Sequence, residues 1–191
     1  MAATSGELDA WRARDLLGTK YRFLYLDGAN FSARRGTIVE RLALLRVIGV
    51  RSDDEKMEVL SIEVGDREQK SLWAELFQGL GRRGLDMNAV QVGIMDGLAG
   101  LESAFSAAFP NARTQRCQVH AKRNALKRVS VRERDAFSAD LDRVFYAQTE
   151  ARARGAFVEP LDQRAQVKIP VIPVIPGAGA DADPRRTLIP V

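Results

Sequence analysis

Apolar and polar positions alternate through the first third of the chain in blocks that read as strands. Tyr21–Leu26 interleaves aromatic and aliphatic residues and runs into Asp27-Gly28, the pattern of a strand that stops at an acidic turn. Asn30–Gly36 reads as a turn. Leu42–Val50, LALLRVIGV, is apolar enough for a central strand. Ser52-Asp53-Asp54 is a turn signal, and Met57–Val64 alternates into a third strand. Short loops join the three, which predicts an antiparallel meander. From Gln69 the period lengthens. Leu72, Trp73, Leu76, Phe77 and Leu80 make one apolar stripe on a helix over Gln69–Arg83, with Gly81 and Gly84 as its terminators. Val90–Met95 is a fourth strand, and it too runs into Asp-Gly, at Asp96-Gly97. Leu98–Ala108 is a short helix with Leu98, Leu101 and Phe105 on one side, closed by Pro110. Arg113–Val119 is read as a fifth strand and His120–Val129 as a basic helix. Ser130 with Glu133 has the spacing of a capping box, which opens a further helix with Phe137, Leu141, Val144 and Phe145 as its buried stripe.

The flanks differ in character. Residues 1–19 form a polar lead-in, expected to be a short helix anchored by Trp11, Leu16 and Leu17. After about Gly155, six of the seven prolines occur, and IPVIPVIPGAGADADP has no period that could close a core. Proline removes backbone donors and favours extended chain, so residues 156–191 are read as a disordered tail. Four segments are therefore expected: a lead-in (1–19), an α/β core (20–129), the start of a helical region (130–155) and the tail (156–191).

The order strand, strand, strand, helix, strand, helix, strand, helix implies more than the list of elements. If the helix after the third strand returns across the sheet by the right-handed crossover rule, the fourth strand lies parallel to the first and the sheet order is 3-2-1-4-5. Asp27 and Asp96 then end adjacent strands, at the carboxyl edge where α/β sheets hold ligands. Asp-Gly alone is a common turn pair. Two carboxylates brought close repel one another, and a divalent cation is one ordinary remedy.

Charge adds a second feature. The formal net charge is +4 and the isoelectric point about 9.5, a mild basic bias compatible with nucleic acid. Its distribution is more informative: Arg113, Arg116, Lys122, Arg123, Lys127 and Arg128 fall in a stretch with no acidic residue. Such a stripe suits backbone phosphates; a solvated helix face is the other reading. A single cysteine excludes an internal disulfide and fits a reducing compartment. A hydrophobic fraction of 46% suits a globular domain. No apolar run approaches the ~20 residues of a membrane span, and the opening MAATSGELDAWRARD lacks the apolar core of a secretory signal.

With these residues in view, the chain resembles the catalytic domain of Mutator-like transposases of bacterial insertion sequences. YLDGANF, the helix running to RRGL, MDGLAGL and the segment AFPNARTQRCQVHAKRN follow one another in the family's order over roughly residues 20–155. The resemblance implies an α/β, ribonuclease H-like mixed sheet with flanking helices. It implies that DNA is cut and joined by two Asp and one Glu holding Mg²⁺ (or Mn²⁺), with Asp27 and Asp96 as the two Asp. Cys117 and His120 match the family's C-x2-H signature. Arg123 and Asn124 match its RN pair and are expected to meet phosphates. A structural zinc site needs four Cys or His ligands, and the chain has one of each. A Cys-His nucleophile lacks an evident third group to orient it. A nucleotide-binding protein would need a glycine-rich loop after its first strand, and none is present.

The sequence departs from the family pattern at one end. The third acidic residue, which follows a helical insertion, has no counterpart. Glu102, Glu150 and Glu159 do not stand in its motif. The expectation is an incomplete copy, truncated or frameshifted, with impaired or no activity, or else a non-catalytic fragment that binds DNA or the full-length enzyme as an inhibitor. The resemblance further implies insertion-sequence ends and target DNA as partners, a homo-oligomer at full length, no membrane, and a place in the bacterial cytoplasm at the nucleoid.

Overall fold

A computed structural model describes residues 2–35, 37–65 and 70–158. It divides into two units, one ending at Arg116 and the other beginning at Cys117.

The first unit is a five-stranded sheet. Its strands are β1 (Tyr21–Arg35), β2 (Ile38–Arg51), β3 (Met57–Gly65), β4 (Val92–Met95) and β5 (Arg113–Arg116). The order is β3-β2-β1-β4-β5. β2 is antiparallel to both β1 and β3, while β4 is parallel to both β1 and β5. This is the order and polarity expected from the succession of elements, and the mixed sheet that a ribonuclease H-like reading requires. Two helices lie among these strands, α2 (Lys70–Arg82) and α3 (Ala99–Ala108).

One sheet face carries the core. Leu24, Leu26, Ala43, Leu45, Val47 and Leu60 are buried with Trp73, Leu76, Phe77 and Leu80 of α2 and Leu101, Ala104 and Phe105 of α3. The period-2 alternation along β2 puts Ala43, Leu45 and Val47 inward and leaves Leu42, Leu44, Arg46 and Ile48 half-buried on the other face. The aromatic centre is continuous: Phe105 stacks on Phe109 with ring centroids 4.6 Å apart, and Phe77 meets both edge-on at 6.0 and 5.3 Å.

The lead-in is fastened by arginines. Helix α1 (Ala2–Ala13) is followed by Arg14, whose Nη2 donates to the Val59 carbonyl at 2.5 Å. Arg83, just beyond α2, donates through Nε to the Arg14 carbonyl and through Nη1 to the Leu60 carbonyl, both at 2.8 Å. Burial pushes the Arg83 pKa below the usual guanidinium value, with Arg14 beside it acting in the same direction. Leu16 is buried, as expected, but Leu17 is 75% exposed and anchors nothing.

Several expectations are corrected. Of the turn expected over Asn30–Gly36, residues 30–35 are strand instead, and Gly36 lies outside the described residues. β1 continues through Asp27 to Arg35, and Asn30 to Arg35 pair with Ala43 to Ile38 of β2. The two arms satisfy each other's backbone groups, so polar residues that look like loop in isolation remain in a ladder. Leu98 is 44% exposed rather than buried beside Leu101 and Phe105. It stands in extended conformation before the first turn of α3, so it does not share the helical phase. The fifth strand ends at Arg116, and the following helix begins at Gln118, earlier than the hydrophobic pattern suggests.

The second unit holds α4 (Gln118–Leu126), a 3₁₀ turn (Val131–Glu133), α5 (Arg134–Phe145) and α6 (Glu150–Val158). Ala125, Val129, Phe137 and Leu141 form its small core, with Val144 and Phe145 packed against them. The capping box does not form. Ser130 Oγ donates to the Glu133 carboxylate at 2.6 Å, and the backbone N–H of Glu133 bonds to the Ser130 carbonyl instead. The reciprocal side-chain-to-backbone bonds of a box are thus replaced by a 3₁₀ turn. Most of the proline-rich stretch, 159–191, lies outside the described residues, as does Glu159.

Candidate active site

β1 and β4 run parallel, with Phe23 opposite Val92, Leu24 opposite Gly93 and Tyr25 opposite Ile94. The offset is 69 residues throughout (92 − 23, 94 − 25). Two residues further on, the same offset joins Asp27 to Asp96. Neighbouring strands lie ~4.8 Å apart and side chains two residues apart share a face. Asp27 and Asp96 therefore belong to the face of Tyr25 and Ile94, opposite the main core. β4 ends at Met95 while β1 runs on, so the pair stands in a notch at the edge of the shorter strand. The expectation that both strands stop at their Asp holds for β4 and fails for β1.

Both carboxylates are half-buried and both have partners. Asp27 Oδ2 receives a very short hydrogen bond from Arg46 Nη2, an ion pair between directly opposed residues of β1 and β2. Asp96 Oδ1 accepts the backbone N–H of Leu98 at 3.1 Å, which closes the turn into α3. Gly97 within that turn has φ +86°, a left-handed conformation that favours glycine. A Cβ at position 97 would collide with the guanidinium of Arg116, so Arg116 lies against the Asp96-Gly97 turn. Arg46 was not singled out by the sequence. The signal for it was the one charged residue in LALLRVIGV, which the hairpin register sets across from Asp27.

Glu102, in the first turn of α3, accepts a hydrogen bond from Thr114 Oγ1 at 3.2 Å. Arg113 opens β5 and is exposed. Among the described residues, no group of three or more His, Cys, Asp or Glu is placed to hold a metal ion.

The remaining candidates fall in the second unit. Cys117 is the half-buried residue preceding α4, and its carbonyl accepts the Ala121 N–H at 2.9 Å. His120 lies one turn into α4 and is half-buried. Lys122 is engaged within the unit, its Nζ 2.6 Å from Asp142 Oδ1 of α5. Arg123, Asn124, Lys127 and Arg128 are exposed at the end of α4. Their spacing at i, i+1, i+4 and i+5 makes one stripe. The basic set thus separates into Arg113 and Arg116 on β5, an internal ion pair at Lys122, and an exposed patch.

The family description "Transposase, Mutator family" matches residues 1–175. This chain belongs to that family. It is 31% identical over 147 residues to the transposase for insertion sequence element IS1201 of Lactobacillus helveticus, a match covering 77% of this chain and 38% of that protein. It is 38% identical over 120 residues to the transposase for IS6120 of Mycolicibacterium smegmatis, covering 63% and 36%. The Mutator-family chain thus spans well under half the length of these curated relatives. Among solved structures it is similar to a chain of the simian T-cell lymphotropic virus intasome in complex with PP2A regulatory subunit B56 gamma, with a TM-score of 0.32, 12% identity, and coverage of 81% of this chain and 60% of that one. Among the described residues, no helix is long and apolar enough to cross a membrane.

Proposed function

We propose that Asp27 and Asp96 are two carboxylates of a centre for metal-dependent cleavage and joining of DNA strands at insertion-sequence ends. The observation that carries this reading is the constant β1–β4 offset, which makes the two residues neighbours on one face where β4 gives out. Membership of the Mutator family supports it. The donor set suits Mg²⁺ or Mn²⁺, which take oxygen ligands and keep several waters, so two carboxylates suffice as a first holding point. A bound ion there would offset charge on phosphate oxygens and lower the pKa of a water. Arg46 fixes the Asp27 carboxylate from the neighbouring strand, and entry of a cation has to compete with that ion pair. Arg116 brings a positive charge to the Asp96 turn, where a backbone phosphate would lie. Arg113, Arg123, Asn124, Lys127 and Arg128 are further phosphate contacts in this reading, with DNA as partner and the full-length protein acting as an oligomer. Cys117 and His120 are assigned no chemical step.

A second reading is DNA or transposase binding without cleavage, in the manner of an inhibitor. It is favoured by the Arg46 ion pair on Asp27 and by the absence of a third carboxylate beside the pair among the described residues.

The test is Mn²⁺ binding by calorimetry to the chain and to Asp27→Asn and Asp96→Asn. Asparagine keeps an oxygen for the Leu98 N–H while removing the charge. Each variant is expected to lose most of the affinity. Equal affinity in all three proteins overturns the metal reading, and intact binding without nicking of end-sequence DNA selects the inhibitor reading.

A further inference from the structure

Beyond Asn30 the sheet narrows to two strands. β4 pairs with β1 only from Phe23 to Tyr25, and β3 pairs with β2 only from Ala43 to Val50. From Phe31 to Arg35 and from Ile38 to Leu42, β1 and β2 pair with each other alone among the described residues. The arms form a ribbon about 17 Å long at ~3.4 Å per residue. An isolated two-stranded ribbon is marginal in water, and this one exposes Phe31 (40%), Ile38 (62%) and Val39 (62%). An arm of this kind is expected to lie against something.

Charge selects the occupant. Between Gly28 and Ala43 the sequence has Arg34, Arg35 and Arg41 against Glu40 alone. Arg34 is opposite Val39 and Arg41 opposite Ser32, so the two exposed arginines share one ribbon face as diagonal neighbours. Among the described residues, neither makes a hydrogen bond or ion pair. A second copy approaching the same edge would bring arginine against arginine. A polyanion meets no such opposition, and a two-stranded ribbon fits the major groove of B-DNA.

We propose that the ribbon of Phe31–Arg35 and Ile38–Leu42 is a DNA-binding arm, with Arg34 and Arg41 contacting backbone phosphates on the sheet face opposite that of Asp27 and Asp96. The inference rests on the DNA-acting reading of the Asp27–Asp96 site and adds a second place at which the duplex is held.

The experiment is fluorescence anisotropy of labelled duplex DNA with the full chain, at several salt concentrations. The wild type is compared with Arg34→Ala/Arg41→Ala and with Asp27→Asn/Asp96→Asn. The ribbon variant is expected to bind about tenfold more weakly, with a log–log salt slope flatter by about 2, one unit for each lost phosphate contact. The carboxylate variant is read for Mn²⁺ binding, which reports on the metal site separately from the arm. Wild-type affinity and slope in the ribbon variant overturn the proposal, as does a wild-type chain that binds no duplex. A wild-type dimer that dissociates on Phe31→Ser/Ile38→Ser, with DNA affinity unchanged, makes the ribbon a contact between copies and also overturns it. Hydrogen exchange on the unmodified chain avoids dependence on variant folding: added DNA is expected to slow exchange across 31–35 and 38–42, and no slowing there overturns the arm. If metal binding is indifferent to Asp27 and Asp96 while the ribbon variant still loses DNA, the metal reading fails and the arm stands.

Discussion

Gly93 is the position at which packing and the candidate site are most tightly linked. It is the second residue of β4, opposite Leu24, and lies three residues before Asp96. A Cβ built there would fall 2.6 Å from Phe105 Cε2, 2.7 Å from Cε1 and closer still to Cζ. Carbon atoms rest at ~3.5–4.0 Å, so Gly93→Ala requires about 1 Å of relief. Phe105 has nowhere to give it, being fully buried, stacked on Phe109 and edge-on to Phe77. The strain therefore falls on β4, and a shift of β4 carries Asp96 away from Asp27. Overpacking of this kind costs ~1–3 kcal/mol. Urea unfolding followed through Trp73 should show that loss, and Mn²⁺ affinity should fall with it. Phe105→Leu removes ring atoms and should cost less than the ~3–5 kcal/mol of a Phe→Ala change. Combined with Gly93→Ala it should be better tolerated than the sum of the two, with a coupling of ~1 kcal/mol or more. Gly93→Ala within ~0.5 kcal/mol of wild type, or strict additivity in the double variant, would refute the claim that this contact sets the position of β4.

Two further outcomes follow from named contacts. Tyr21 is 1% exposed and its hydroxyl donates to Glu58 at 2.8 Å; burial first, then the Glu58 carboxylate, pushes its pKa up to about 12. A raised folded-state value means that this contribution to stability is complete below the unfolded pKa near 10 and is lost as pH rises through about 12, at most ~2.7 kcal/mol for two pKa units. Tyr21→Phe should flatten the fall in stability between pH 10 and 12, and an unchanged alkaline profile would count against the assignment. Arg46→Met removes the competitor for Asp27 from a partly exposed pair, so stability should change by less than ~1 kcal/mol while Mn²⁺ affinity rises several-fold. Weaker metal binding would mean that Arg46 positions the carboxylate more than it competes for it.

What the sequence disclosed and what it hid divide along physical lines. The sheet order was legible because it depends on the sequence of element types and on crossover handedness, not on exact boundaries. The core of α2 was legible because Trp73, Leu76, Phe77 and Leu80 repeat with the helical period. The length of β1 was not. Beyond Asp27 the strand is held by its ladder to β2 rather than by burial, so Asn30, Ser32 and Arg34 give no hydrophobic signal. Leu98 misled because apolar spacing reports helical phase only inside the helix. At the candidate site the two carboxylates were readable as strand-end Asp-Gly pairs. Arg46 was not, because its importance depends on a cross-strand register that single-strand patterns do not contain.

That register also changes how Asp-Gly should be read. As a turn signal it competes with a catalytic reading, but at Asp96 the two uses fall on different atoms and different residues. Oδ1 takes the Leu98 N–H and Gly97 supplies the left-handed backbone, and together they stop β4 and start α3. The charge of the carboxylate does none of that work. At Asp27 the opposite holds. Gly28 lies within the strand and forms no turn, and the carboxylate engages Arg46 by charge. Structural need therefore accounts for an oxygen acceptor at 96 and for an anion at 27, but not for an anion at 96. Asp96→Asn isolates the difference. It should leave unfolding nearly unchanged while removing cation affinity, whereas Asp96→Ala should lose both the turn bond, worth ~1 kcal/mol, and the cation. If asparagine binds Mn²⁺ as well as aspartate does, the charge at 96 serves no metal, and the turn alone explains the residue.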